Sequence, residues 1–212
     1  FKDKVKHIVI SDQFPDISNG WGCESFQREK IFDGLNDALP DDYIMYSDSD
    51  EIPNPKKLEN FILKNKYGIF MQKFFVYKLN IFNGYETPWE GSRICKRKDL
   101  RSFTYLRKKI LKKNISKPFW KFNIEKKIDI INEGGWHFNN LYPTEIISKK
   151  LKVFPHKEFA AEKYSNISVI EKKISNLEDL FERGHKYQKE IIDESYPEFI
   201  LKHKEQYKNY IL

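Results

Sequence analysis

Tyr43-Ile44-Met45-Tyr46-Ser47-Asp48-Ser49-Asp50-Glu51-Ile52-Pro53 is the stretch on which the reading of the chain turns. Its first four residues are apolar on both sides, which predicts a central strand buried on both faces. The strand runs directly into three carboxylates. In an open α/β sheet, ligands bind beyond the carboxyl ends of the strands, so Asp48 and Asp50 are expected to reach one cation from there. Mg²⁺ or Mn²⁺ prefers oxygen ligands and keeps positions free for substrate phosphate oxygens. An Asp-x-Asp triplet alone says little, since about half of chains this size hold one by chance. Its place after a buried strand gives it weight. A solvated turn, with Ser47 or Asp48 capping a following helix, accounts for one carboxylate. It does not account for three crowded together, whose mutual repulsion favours a nearby cation.

Working outward, Val5 to Ile10 reads as a strand, and Ser11 to Gly20 as a polar loop. Ile31, Phe32, Leu35 and Leu39 recur at helical spacing, predicting a helix over 24–39 stopped by Pro40. A second helix is expected to begin near Pro55, with Leu58, Phe61 and Ile62 on one face. Gly68 to Leu79 and Ser92 to Lys96 read as strands. Residues 105–127 are lysine-rich without a clear period and read as a loop or a poorly ordered helix. Ile128 to Ile131 is a further strand, followed by Gly134-Gly135-Trp136-His137-Phe138. Beyond Pro143 the pattern is mostly helical, ending with Phe199, Ile200, His203, Tyr207, Tyr210 and Ile211 on one face. This order predicts an α/β fold with a mostly parallel sheet. Residues 1–160 are expected to form the main domain, with 161–212 a helical extension packed on it.

With 212 residues, 40% hydrophobic and 16% aromatic, the chain can bury a core and is not disordered. A net charge of +7 admits nucleic acid, acidic membrane or phosphate-bearing partners and decides among none of them. Cys23 and Cys95 allow at most one disulfide and supply no CxxC zinc motif. No run of 18 apolar residues is present, so no transmembrane segment is expected, and the chain reads as soluble and cytoplasmic. It opens at Phe1-Lys2-Asp3 without an initiator Met, which leaves room for an upstream membrane anchor.

Four blocks together resemble glycosyltransferase family 17, the beta-1,4-mannosyl-glycoprotein 4-beta-N-acetylglucosaminyltransferase family. They are Trp21 to Leu35 with Glu24 and Phe26-Gln27-Arg28, then Pro40-Asp41-Asp42 through Pro53, then Trp89-Glu90-Gly91-Ser92-Arg93. The fourth is Gly135-Trp136-His137-Phe138 with Lys149-Lys150-Leu151 and Phe154-Pro155-His156-Lys157-Glu158. The resemblance implies a GT-A-like, Rossmann-like fold and inverting transfer of a sugar, N-acetylglucosamine from UDP-GlcNAc, onto a glycan hydroxyl. Relative to the family, a first strand and helix are missing, so some base- and ribose-binding residues are expected to lie outside the chain. Asp48 and Asp50 would hold the metal, the latter more directly. His137 would complete its sphere, with His156 as the alternative.

Glu51 would orient the carboxylates or contact the sugar. Arg28 and Arg93 would pair with diphosphate oxygens, although a salt bridge from Arg28 to Glu24 one turn earlier explains Arg28 equally well. Trp89 and Trp136 would stack on sugar or base, or else fill the core. Inversion needs a base on the acceptor hydroxyl, and Glu133 is the acid best placed by sequence, with Glu86 and Glu90 as alternatives.

Two other readings compete. Lys108-Lys109, Lys112-Lys113, Lys117, Lys121 and Lys126-Lys127, interleaved with Phe119, Trp120 and Phe122, suit a single-stranded nucleic acid. No recognised nucleic-acid module accompanies them, so a nucleic-acid partner is not expected. The other reading is a catalytically inactive module that binds a sugar nucleotide.

Overall fold

The computed structural model describes residues 2–16, 18–153 and 160–212. Contacts divide the chain into two compact units that interleave along the sequence. The first comprises Phe1–Tyr46, Ile62–Ile69 and Ser92–Ile130; the second comprises Ser47–Phe61, Phe70–Gly91 and Ile131–Leu212. The strands are β1 (Tyr43–Tyr46), β2 (Glu51–Pro53), β3 (Tyr67–Val76), β4 (Ile81–Phe82), β5 (Trp89–Lys96), β6 (Ile128–Asn139) and β7 (Gln188–Lys189). The α-helices are α1 (Gly20–Glu29), α2 (Phe103–Lys109), α3 (Thr144–Val153), α4 (Glu162–Ser165), α5 (Ile167–Ser175) and α6 (Glu198–Lys202). Among the described residues, no helix is long and apolar enough to cross a membrane.

Hydrogen bonding links the strands in the order β1-β5-β3-β4-β7, with β6 beside β3 and β2 beside β6. The pairs β1–β5, β2–β6, β3–β4 and β4–β7 are antiparallel. By contrast, β6 runs with β3: the Tyr67 N–H donates to Lys127 O at the start of both, and the Tyr77 N–H to Asn139 O at their ends. The α/β class is as expected, but the sheet is mixed rather than mostly parallel. A tight turn joins β3 to β4, and such a turn returns the chain antiparallel. A parallel pair needs a crossover of about a dozen residues or more, and the chain between β3 and β6 is long enough to make one.

In the first unit, residues 5–10 form no strand. The expected strand fails because its apolar residues have no layer to cover them; Val9 is 73% exposed. Helix α1 starts earlier than the apolar spacing suggested, because Asn19 Oδ1 caps it from the Gly22 N–H at 3.0 Å. It tightens to a 3-10 helix over Lys30–Gly34, instead of continuing to Leu39. Strand β1 lies at the end of the strand order and not at its centre. The rings of Tyr46 and Phe32 pack on Phe103 of α2, whereas Tyr43 stays exposed. The N-terminus of α2 is held by Glu29, which accepts from the N–H groups of Phe103 and Thr104 at 3.1 and 2.6 Å. The rest of the 105–127 segment is turns and one 3-10 helix, Lys112–Asn114. Cys23 and Cys95 are both free.

In the second unit the helix expected at Pro55 is a single 3-10 turn, Pro55–Lys57, capped by Asn54. Successive residues of a strand face opposite sides, and β3 uses both. Phe74 and Val76 join Ile147 and Leu151 of α3, Ile170 and Ile174 of α5, and Leu180 in one cluster. Phe75 joins Trp136, Phe138, Ile192, Tyr196 and Ile200 in another. The final segment is α6 followed by a 3-10 helix, Lys204–Tyr210, rather than one continuous helix.

Candidate functional site

Residues 48–51 form a tight turn. The Glu51 N–H donates to Asp48 O at 3.0 Å, and the Asp48 N–H donates to Glu51 Oε2 at 3.2 Å. The turn leads into β2, so no helix is present for Ser47 or Asp48 to cap. Strand β2 lies antiparallel to β6 with Glu51 opposite His137, Ile52 opposite Trp136 and Pro53 opposite Gly135. That register is fixed by glycines. A Cβ on Gly135, whose φ is +138°, would lie 2.0 Å from Ile52 O. A Cβ on Gly134 would lie 2.8 Å from Phe70 Cα of β3. The close approach that a double glycine implies is thus made by β6 to its two neighbouring strands.

The register delivers His137 to the turn. Asp50 Oδ2 lies 3.1 Å from His137 Nε2, and the Phe138 N–H donates to Asp50 O at 2.8 Å. The imidazole is buried between rings, 4.4 Å from the Phe74 centroid and 5.0 Å from that of Trp89. Its Nδ1 is buried and has no hydrogen-bond partner among the described residues, so packing rather than a second hydrogen bond orients the ring. Burial alone would raise the Asp50 carboxyl, but the His137 hydrogen bond and charge, helped by Lys150, hold it below its ordinary value. No family model, curated protein or solved structure matches this chain. The chemistry of the site is therefore read from these side chains.

Glu51 is buried, and its Oε1 accepts from Trp89 Nε1 at 2.9 Å. With Oε2 on the Asp48 N–H, the carboxylate ties the turn to β5 and holds its shape. Trp89 belongs to the same constellation: its indole N–H fixes Glu51 while its ring packs on Phe74 and His137.

Lys150 joins the site although the sequence marks it for no role there. It lies on α3, with Nζ 2.9 Å from Asn140 Oδ1. Burial lowers its ammonium pKa and the charge of Asp50 partly restores it, which places the two within electrostatic reach. Helical spacing offered a signal: Lys150 precedes the core residue Leu151 and comes three positions after Ile147, on the flank of the buried face.

Two expected site residues of the second unit, Trp136 and Glu133, do not reach Asp50 and His137. Trp136 faces away from His137, as its neighbour on a strand must. It belongs to the cluster with Phe75, and its indole donates to Ser195 O at 2.9 Å. Glu133 is exposed, four residues up β6 from His137, about 13 Å along a strand. It pairs with Lys57 Nζ at 3.1 Å, and its backbone O accepts from Asn54 Nδ2. Arg28, in the first unit, is buried; its Nε donates to Tyr46 Oη at 2.8 Å and its Nη2 pairs with Glu24. The salt bridge of one helical turn is thus present. Arg93, also in the first unit, is buried opposite Tyr46 on β5. His156 lies outside the described residues, as does Phe154 to Glu158.

Among the described residues, no three His, Cys, Asp or Glu side chains gather into a metal-holding group. Asp50 and His137 would supply two ligands. Octahedral Mg²⁺ binds oxygen at about 2.0–2.1 Å, so adjacent ligands stand about 3 Å apart. The 3.1 Å between Oδ2 and Nε2 suits that edge. It equally suits a hydrogen bond when Nε2 carries a proton. A carboxylate suits Mg²⁺ or Mn²⁺, an imidazole nitrogen suits Mn²⁺ better than the harder Mg²⁺, and such sites commonly take their remaining ligands from water and substrate phosphate. The residues fit the cation.

Proposed function

We propose that this chain is a metal-dependent glycosyltransferase of the GT-A type, which transfers a sugar from a nucleoside diphosphate to a hydroxyl of a glycan. The observation that carries the reading is the meeting of Asp50 and His137, 3.1 Å apart although distant in sequence. They are the second carboxylate of an Asp-x-Asp turn and a late-chain histidine. The GT-A assignment rests on this pair and on the family 17 resemblance, and the mixed sheet adds nothing to it. N-acetylglucosamine as the sugar, UDP as the carrier and inversion as the stereochemical course rest on the resemblance alone.

Asp50 and His137 would hold the cation, with Asp48 on the same turn as a further carboxylate. A cation bound there would neutralise charge on the departing diphosphate. Glu51 and Trp89 keep the turn in place, so the carboxylates require little rearrangement when substrate arrives. Lys150 brings a positive charge toward the same region and suits a phosphate oxygen. Arg28, held by Glu24 and Tyr46, is given a structural role in this reading.

The test is UDP release from UDP-N-acetylglucosamine in the presence of glycan acceptors and Mn²⁺. Release that stops on chelation and in His137→Ala supports the proposal. Release that persists in His137→Ala at the wild-type rate, or is indifferent to chelation, overturns it.

A further inference from the structure

The lysine-rich segment of the first unit is not used by the proposed chemistry, and its surface is unusual. Phe119, Trp120 and Phe122 are 78%, 62% and 88% exposed, and Ile115 beside them is also exposed. So many large apolar side chains in one short stretch mark a contact surface rather than ordinary scatter.

The stretch is nevertheless held in a defined shape. The Lys121 N–H closes a turn on Pro118 O at 3.1 Å, and Lys126 Nζ donates to Pro118 O and Phe119 O at 2.7 and 3.2 Å. At its root the buried Asn114 donates to Lys109 O at 2.6 Å. The turns therefore point the aromatics outward, where collapse onto the core would have hidden them. Lys113, Lys117 and Lys121 are exposed around them. Glu125 is the only acid between Lys108 and Lys127, and its Oε1 is taken up by the N–H groups of Lys126 and Lys127.

From this arrangement we infer that residues 113–122 dock the protein on an anionic lipid bilayer. Phe119, Phe122 and Ile115 enter the boundary between headgroups and acyl chains, and Trp120 sits at the level of the headgroups. Lys113, Lys117 and Lys121 meet the lipid phosphates. Charge complementarity selects the partner, since an apolar tip ringed by uncompensated lysines fits a surface that is negative outside and apolar beneath. A single-stranded nucleic acid would also accept the lysines. The rings argue against it: Phe119 and Trp120 meet edge to face at 80°, so they cannot offer parallel faces to successive bases. The inference stands apart from the proposed sugar transfer and holds whether or not that reading does.

The test is flotation of the full chain with vesicles of phosphatidylcholine, with and without added phosphatidylglycerol. Trp120→Ser with Phe122→Ser and, separately, Lys117→Ser with Lys121→Ser are compared, after circular dichroism has confirmed that both fold. Wild type should float with the anionic vesicles and not with the neutral ones. The aromatic pair should weaken binding about tenfold or more, and the lysine pair about 25-fold at low salt. A blue shift of tryptophan emission on binding, absent in Trp120→Phe, should accompany flotation. Failure to bind anionic vesicles overturns the proposal, as does binding that the aromatic pair leaves unchanged. Tighter binding to an oligouridine than to the vesicles, lost in the aromatic variant, overturns it in favour of a nucleic acid.

Discussion

Gly135→Ala probes the join between β2 and β6 on which the site depends. The alanine Cβ would lie 2.0 Å from Ile52 O and 2.9 Å from Asn54 N. Comfortable contact requires about 3.5 Å, so β2 would have to retreat by more than about 1 Å. That movement breaks the register of Ile52 on Trp136 and Pro53 on Gly135, and with it the 2.8 Å bond from the Asn54 N–H to Gly134 O. A positive φ costs a residue with a Cβ about 1–3 kcal/mol. Each lost ladder bond costs about 1 kcal/mol. The sum is about 3–5 kcal/mol, or a fall in Tm of about 6–20 °C for a chain of this size. Gly184→Ala is the control. Its φ is also positive, at +78°, but nothing lies within 4 Å of its Cβ, so it bears only the backbone strain. Melting monitored by far-ultraviolet circular dichroism compares the two. Because β2 places Glu51 opposite His137, Gly135→Ala should also lose metal-dependent nucleotide binding while Gly184→Ala keeps it. A loss of Tm in Gly135→Ala no greater than in Gly184→Ala would refute the close-approach argument.

Asp179 is buried and accepts from the Arg183 N–H, Nε and Nη2 and from Tyr187 Oη at 2.8–3.0 Å. Burial alone would raise its carboxyl, but these bonds hold it below its ordinary value. A depressed carboxyl stabilises the fold above the unfolded pKa of about 3.9, and that contribution is lost as pH falls through the folded value. Asp179→Asn should therefore destabilise by about 2–4 kcal/mol at pH 7, and the gap to wild type should close below about pH 4 in melting curves. Glu133→Gln should leave turnover within about threefold, because Glu133 is exposed and paired with Lys57; loss of a true base would cost about 10²–10⁴-fold. Lys150→Met should weaken UDP binding by about tenfold, with partial recovery in Lys150→Arg, measured by titration calorimetry. Unchanged affinity in Lys150→Met would remove it from the diphosphate site.

The boundary between what the sequence disclosed and what it hid is a physical one. Local patterns placed β1, the cores of β3 and β5 and the first residues of β6 correctly, because short apolar runs bounded by turn residues leave few alternatives; the buried half of β6, 134–138, was read as lying beyond the strand. The sequence reading also assigned Asp50 and His137 to one site, and the two residues do meet. Their register was not, since strand pairing depends on which backbones approach closely, and that is decided by Gly134 and Gly135 against Ile52 and Phe70. Alternation on β6 was available but unused: Trp136 and His137 are consecutive, so one strand cannot aim both at one ligand. The apolar β1 suggested a central strand, yet α2 covers it at the end of the strand order, where a covered edge reads like a centre. Val5 to Ile10 failed for the opposite reason, having a strand-like pattern and no partner strand. Lys150 stands out in the sequence only as part of a resemblance, and only the tertiary packing of α3 brings it near Asp50.

The central claim is that Asp50 and His137 hold a divalent cation that serves a nucleoside diphosphate. The most direct measurement is thermal unfolding with UDP, with Mn²⁺ and with both, on wild type, Asp50→Ala and His137→Ala. At UDP about 100 times its Kd, binding adds about 2.7 kcal/mol, which raises Tm by about 5–11 °C. The account predicts that rise in wild type only when Mn²⁺ and UDP are present together, and its disappearance in both variants. A UDP shift that needs no metal, or one that survives in both variants, would contradict it.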